Sequence, residues 1–363
     1  MICTIRREQG RKEKTMSENH KIKFHTVDDV REFAPEKNRL FSATHEEIIS
    51  GATADVYFVR TNEILSKEGK SDTNVTAEIF PSRPGVLAGM KECLYLLNGL
   101  PVEAWGIEEG ETFQAKEPVL RIKGPYSVFG PYETALLGIL ASSSSWASRA
   151  SECKDAAGGK PFFCFGARHI HPAVAPVMER AAVVGGANGA ACILGAKFLD
   201  LEPVGTIPHS LVLIMGDTVR AAVAYDTHMP KDAPRTILVD TFKDECEEAL
   251  RVAEVLGDDM GAIRLDTPSE RGGVTDDLVK EARARLDLAG FGHVQIFVSG
   301  GLDPERIAKL SQVGADSFGV GSYISSARPI DMTMDIKEIE GKPVAKRGRI
   351  PGIIDNPKLK RFL

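Results

Sequence analysis

The chain has 363 residues, with 45 Lys and Arg against 51 Asp and Glu and a formal net charge of −6. That is more than one ordinary domain holds, and it fits a barrel of about 250 residues beside a smaller domain. The acidic balance argues against a general nucleic-acid binder, though not against a local basic pocket for phosphates.

Residues 1–15 (MICTIRREQGRKEKT) are basic and lack an apolar core, so no secretory signal is expected. Met16 is a second candidate start, and residues 1–23 are expected to form a disordered extension. Residues 24–50 read as an entry segment with a short helix. Residues 51–66 have helical spacing through Val56, Val59 and Leu65. Residues 75–80 are strand-like, and 84–97 read as a helix with Met90, Leu94 and Leu97 on one face. Residues 102–106 and 119–124 read as strands, with 110–118 as a loop between them. A long helix is expected over 130–154, with the polar run 142–145 as one of its faces, and a break over 154–160 (KDAAGGK).

From residue 161 the pattern changes. Six short apolar runs end in polar or glycine residues: 162–168 (FFCFGAR), 203–210 (PVGTIPHS), 237–242 (ILVDTF), 262–266 (AIRLD), 296–301 (IFVSGG) and 317–322 (SFGVGS). They recur roughly every 20 to 40 residues, mostly with helix-like segments between, as buried parallel strands of an α/β barrel do. Helices are expected at 172–185, 244–256 and 275–289. The expected organisation is an N-terminal α/β domain (24–160), an irregular α/β barrel carrying the active site (161–330), and a C-terminal segment (331–363) returning to the first domain. The candidate apolar stretch 135–141 is far too short to span a bilayer, and no run approaches 18 apolar residues. Cys3, Cys93, Cys153, Cys164, Cys192 and Cys246 form no C-x-x-C pair, so reduced thiols and a cytoplasmic location are expected.

The strand ends carry the candidate chemistry. Ser299-Gly300-Gly301 and Gly319-Val320-Gly321-Ser322 each follow a strand, and glycines let backbone N–H groups approach phosphate oxygens. Each loop alone is also explained as a tight turn; the pair at the end of a barrel series favours phosphate. Arg264 and Asp266 alternate with Leu265 and so point the same way. They form either a structural ion pair or a site in which Arg264 grips a carboxylate with its planar fork. Asp240 is a second strand-end acid. Arg168 is a candidate anion ligand, whereas His169 and His171, two residues apart with no acid nearby, do not suggest a metal. His209 reads equally as a helix cap or a catalyst.

These motifs also resemble a known family. FGAR, GTIPHS, LVDTF, IRLD, SGGLD and GVGS occur in the order seen in nicotinate phosphoribosyltransferases of the shorter archaeal and bacterial form. The likeness extends to TADVYFVRT (53–61), EPVLRIKGP (117–125) and YETALLGILA (132–141), and spans about 24–354. The resemblance implies the type II phosphoribosyltransferase fold and formation of nicotinate mononucleotide and pyrophosphate from nicotinate and phosphoribosyl pyrophosphate, for NAD biosynthesis. It implies nicotinate sandwiched between Phe165 and Tyr57, the tyrosine coming from the neighbouring subunit, and hence a homodimer or higher homo-oligomer. It further implies Arg264 and Arg168 near the pyridine carboxylate, Arg168 also near the ribosyl diphosphate. Asp240 and Asp266 would lie at the ribose hydroxyls and a Mg²⁺-bound diphosphate, and Ser299, Gly300, Gly301, Gly319, Gly321 and Ser322 at the 5′-phosphate. His209 matches the histidine that many members phosphorylate with ATP; the short chain leaves that coupling open. Some archaeal relatives carry a cysteine-rich zinc element, but no cysteine follows Cys246, so no zinc is expected. Quinolinate as substrate is disfavoured because Arg168-His169-Ile170 lacks the lysine of the quinolinate enzymes' arginine-lysine-threonine run. Asn188 leaves nicotinamide open. A non-catalytic ligand-binding relative is disfavoured by the retained arginines, acids and glycine loops.

Overall fold

In a computed structural model the described residues are 22–363. The extension expected over 1–23 lies outside them except for its last two positions. Strands are numbered β1 (Asn74–Pro81), β2 (Gly85–Val86), β3 (Glu103–Gly106), β4 (Thr112–Phe113), β5 (Leu120–Pro125), β6 (Phe162–Cys164), β7 (Thr236–Leu238), β8 (Ala262–Leu265), β9 (Gln295–Ser299), β10 (Ser317–Val320), β11 (Met332–Ile339), β12 (Lys342–Pro343) and β13 (Lys360–Arg361).

The first sheet is antiparallel, in the order β12-β11-β1-β5-β3-β13. Its central strand β1 is buried along almost its whole length, Val75, Ala77, Ile79 and Phe80 in the core and Glu78 paired with Arg121 at 2.8 Å. Here the C-terminal segment rejoins the N-terminal domain: β11 runs beside β1 from Val75 opposite Ile339 to Pro81 opposite Met332. The second sheet is parallel, in the order β6-β10-β9-β8-β7. Cys164 also bridges Ala190 in parallel, and Val204 N–H donates to Ala190 O at 2.9 Å. The sheet therefore continues past β6 through irregular backbone.

The helix Glu133–Ala157 ties the two halves together. Leu136 and Leu140 belong to the core of the antiparallel sheet, whereas Trp146, Ala147, Ala150, Cys153 and Ala157 belong to that of the parallel sheet. The serine run is a buried face of this helix, and Ser144 Oγ accepts from Ala88 N–H at 3.2 Å.

Several elements differ from expectation. Residues 84–97 are not one helix: β2 comes first, and the helix Met90–Leu97 starts after Gly89, whose φ of +90° breaks the run. The break expected from 154 comes later, where Gly158 takes a left-handed φ of +61° after Ala157. Residues 203–208 form no strand. Pro203 and Pro208 lack the N–H a ladder needs, and the apolar content is spent on anchoring Ile207, which is buried. Among the described residues, no helix is long and apolar enough to cross a membrane.

Candidate active site

The C-terminal ends of the parallel strands bring charged, aromatic and glycine residues together. In β8, Arg264 stands among buried Ala262, Ile263 and Leu265 with its own side chain only 11% exposed. Its Nε donates to Ser299 Oγ at 2.8 Å, Nη1 to Thr206 Oγ1 at 2.7 Å and Nη2 to Asp266 Oδ2 at 3.1 Å. Ser299 uses its proton on Asp266 Oδ1, 2.8 Å away. Alternation along the strand thus sets Arg264 and Asp266 side by side, and β9 supplies the hydroxyl between them. Burial lowers the pKa of Arg264; Asp266 opposes that shift, while the nearby positive charge of Arg168 adds to it. Arg168 itself is exposed, in the turn Ala167–His169. Two guanidiniums close enough to feel each other's charge favour an anion nearby.

Phe165 continues from β6, its N–H donating to Val320 O at 2.8 Å. Its ring stacks on Phe297 at 5.7 Å and 22°, and Phe297 stacks on Phe163 at 6.0 Å and 21°. The Arg264 guanidinium lies 5.5 Å from the centre of the Phe165 ring. A flat apolar face and a cation therefore adjoin.

His209 opens the helix His209–Met215 without capping it. Its Nε2 is 3.2 Å from both carboxylate oxygens of Asp240, in hydrogen-bond geometry with Oδ2 alone. Asp240 Oδ1 is buried without a hydrogen-bond partner. Burial raises the Asp240 pKa, against the opposing pull of His209. The imidazole is 42% exposed, so the pair joins a buried acid to a solvent-reachable base.

The two glycine loops differ. Gly300 and Gly301 are exposed and left-handed, at φ +90° and +58°, and Arg306 Nη1 donates to both their carbonyls at 3.2 and 3.1 Å. Asp303 already caps the following helix Pro304–Gln312 by accepting from Arg306 N–H at 2.8 Å. Gly319 has another reason to lack a side chain. It lies buried inside β10, and a Cβ there would stand 2.7 Å from the Phe165 ring and 3.0 Å from Phe297. A Cβ at Gly321 would meet His169 and the Phe165 carbonyl at 3.0 Å. Both glycines make room for the Phe165–His169 turn, an aromatic-packing role that the sequence reading did not separate from phosphate binding. Ser322 is exposed just beyond them.

Tyr57 does not join this cluster. It is 54% exposed on the helix Val56–Lys67 of the first domain, with its ring against Phe58 at 4.3 Å. Asn188 is also elsewhere: its Oδ1 accepts from Phe162 N–H at 3.0 Å, at the start of β6 and away from the strand ends. Thr206 and Phe297 lie inside the strand-end runs 203–210 and 296–301 but were not singled out there, and Arg306 lies outside every motif. For Thr206 the available signal was a hydroxyl three residues before His209 in the same strand-end run. Among the described residues, no group of three or more His, Cys, Asp or Glu side chains could hold a metal by itself. Asp240, with its unpartnered Oδ1, and Asp266 nonetheless form an acidic edge suited to an ion arriving with its own phosphate ligands.

Residues 55–144 match the family model described as quinolinate phosphoribosyl transferase, N-terminal domain, and residues 146–335 match the C-terminal domain. The chain is similar to nicotinate phosphoribosyltransferase pncB1 of Mycobacterium tuberculosis, at 32% identity over 251 residues, 67% of this chain and 55% of that protein. It is similar to nicotinate phosphoribosyltransferase of Bacillus subtilis, at 33% identity over 232 residues, 61% of this chain and 46% of that protein. It thus spans about half the length of the curated relatives it matches. Among solved structures, nicotinate-nucleotide pyrophosphorylase from Pyrococcus furiosus has a TM-score of 0.83 at 45% identity, covering 87% of this chain and 82% of that chain. Human nicotinic acid phosphoribosyltransferase shares the fold, with a TM-score of 0.67 at 18% identity over 82% of this chain and 77% of that chain.

Proposed function

We propose, from the premise that the chain belongs to the quinolinate phosphoribosyl transferase family of type II phosphoribosyltransferases, that it joins nicotinate to phosphoribosyl pyrophosphate in NAD biosynthesis, releasing nicotinate mononucleotide and pyrophosphate. The observation that carries this reading is the Arg264 guanidinium 5.5 Å from the Phe165 ring centre. An aromatic carboxylate needs a flat apolar face and an anion receptor side by side, and this pair supplies them. The names of the similar nicotinate phosphoribosyltransferases support it.

In this reading the ring lies on Phe165 with its carboxylate toward Arg264, and Arg168 serves the carboxylate and the diphosphate. The ring nitrogen donates its electron pair to C1′ of the ribose. The C1′–O bond breaks as the N–C1′ bond forms, and pyrophosphate leaves with the bonding pair. Ribose carries cationic character in between, so no protein nucleophile is needed. The residues contribute orientation and charge. Asp240 and Asp266 take the ribose hydroxyls, and the Ser299–Gly301 loop, with Ser322 beyond Gly321, takes the 5′-phosphate. Magnesium carried with the diphosphate would be held at Asp240 and Asp266, and it supplies neutralisation of the leaving charge.

His209 beside Asp240 supports an ATP-coupled form, in which Asp240 holds Nε2–H, Nδ1 attacks the γ-phosphoryl group, and ADP departs. Tyr57, exposed and away from Phe165 within one chain, would close the ring sandwich from a second subunit of a homodimer. The free cysteines Cys93, Cys153, Cys164, Cys192 and Cys246 suit the reducing cytoplasm in which this reading places the protein.

Quinolinate is the second reading. It is favoured by the family description, and two arginines close enough to feel each other's charge could serve two carboxylates. Product analysis decides: phosphoribosyl pyrophosphate is supplied with nicotinate, nicotinamide or quinolinate, each with and without ATP. Nicotinate mononucleotide formed from nicotinate alone among the three supports the first reading. Product only from quinolinate, with release of CO₂, replaces it.

A further inference from the structure

Thr206 has no acid–base chemistry of its own at neutral pH, yet it makes the shortest of the three hydrogen bonds to Arg264, at 2.7 Å. It sits in irregular backbone that is fixed on both sides. Val204 N–H is bonded to Ala190 O at 2.9 Å, Ile207 is buried, and His209 reaches Asp240. Pro203 and Pro208 stiffen the strap further by fixing their own φ.

The other two partners of the guanidinium act from one side. Ser299 and Asp266 are bonded to each other at 2.8 Å and hold Nε and Nη2. Left to them alone, the cation would settle into a closed pair with Asp266. Thr206 holds Nη1 from the opposite side. As a neutral acceptor it orients the fork without cancelling its charge. One N–H on Nη1 and one on Nη2 then remain for a ligand.

We propose that Thr206 is a positioning residue that aims the Arg264 fork at the carboxylate of the pyridine substrate. The proposal rests on the reading of the site given above and names a residue on which its acid selectivity depends. It predicts an effect confined to the pyridine side of the reaction.

The test compares Thr206→Val, which keeps the shape and removes the hydroxyl, with Thr206→Ser, which restores it. Nicotinate and phosphoribosyl pyrophosphate are varied separately in steady-state kinetics, with thermal melts to verify folding. Thr206→Val should raise the nicotinate KM about tenfold, the scale of one hydrogen bond to a charged group. The KM for phosphoribosyl pyrophosphate should stay within about twofold, and Thr206→Ser should lie within about threefold of the parent on both. If the valine variant does not fold, Thr206→Ala is held to the same pattern. An unchanged nicotinate KM, an equal rise for both substrates, or a serine variant as impaired as valine overturns the proposal. A parent protein that cannot use nicotinate rejects the functional reading itself, and this proposal with it; an active parent with an indifferent valine variant rejects the role of Thr206 alone.

Discussion

Arg264 and Phe165 meet at the mouth of the parallel sheet, the guanidinium 5.5 Å from the ring centre and tied by Ser299, Thr206 and Asp266. Because the cation is mostly buried and held by three partners, removing it leaves Asp266 with Ser299 alone and no countercharge, and the substrate carboxylate without its receptor. Arg264→Ala should therefore cost about 2–5 kcal/mol in kcat/KM for nicotinate. Arg264→Lys should recover only part of this, since a point charge lacks the fork. Steady-state kinetics with nicotinate varied checks it; unchanged KM and kcat in the alanine variant would remove Arg264 from carboxylate binding.

Gly319 gives a way to tell packing from phosphate binding. An added Cβ would lie 2.7 Å from Phe165 and 3.0 Å from Phe297, in a stack with no slack. Gly319→Ala should destabilise the protein by about 1–3 kcal/mol in urea unfolding, as overpacking does. Displacement of the Phe165 ring should raise the KM for nicotinate more than that for phosphoribosyl pyrophosphate. The reverse ordering would return Gly319 to the phosphate site.

That distinction shows what the sequence made legible. Alternation in IRLD placed Arg264 and Asp266 on one side, and they are 3.1 Å apart. Apolar runs of three to five residues marked β6 through β10 because buried parallel strands need no polar face. The same logic misread residues 203–208, where two prolines deny the ladder its donors and the backbone becomes a strap. Gly319 and Gly300 look alike as letters, but one makes room for a ring and the other takes a positive φ at an exposed turn. Only the first reason is remote in sequence, because the ring at Phe165 lies far from Gly319 along the chain. Thr206 and Phe297 went unnoticed because their partners, Arg264 and Phe165, are far away in sequence.

His209 and Asp240 supply a second, separable chemistry. The imidazole is reachable from solvent, and the buried acid beneath it can hold the ring through Nε2–H while Nδ1, the other ring nitrogen, keeps a lone pair for a phosphoryl group. Incubation with γ-labelled ATP should label the parent protein and not His209→Asn. Asp240→Asn should reduce labelling by weakening the charge opposite the imidazole. Equal labelling of His209→Asn would place the phosphate elsewhere, and no label on the parent would reject the phosphohistidine.

Tyr57 carries the prediction about subunits. It stands exposed on the first domain, outside the cluster around Phe165. If it completes a neighbour's site, Tyr57→Ala and Arg168→Ala homomers should both be impaired. Their mixture should regain activity through hybrid sites that carry both native residues. No recovery in verified heterodimers would put Tyr57 and Arg168 in sites of the same chain or in none.

Glu133 sets the expected pH dependence of stability. It begins the long interdomain helix and lines a cavity of about 460 Å³ with Asp335 and Lys346. Burial, reinforced by Asp335 and Asp55 and opposed by Lys346, pushes its carboxyl from the ordinary 4.5 up to about 7. Asp335 is itself occupied by Lys346 at 2.8 Å and Arg349 at 3.0 Å, so Glu133 gains little from those cations. The folded state therefore holds this proton more tightly than the unfolded state. Between about pH 4.5 and 7 the folded protein binds more protons at this site, so its contribution to stability falls as pH rises through that window. Glu133→Gln is neutral at every pH and lacks this dependence. The Tm of Glu133→Gln relative to the parent should climb from pH 4.5 to 7 and level off above it. A difference that stays constant across that range would show that Glu133 is ionised in the folded protein throughout.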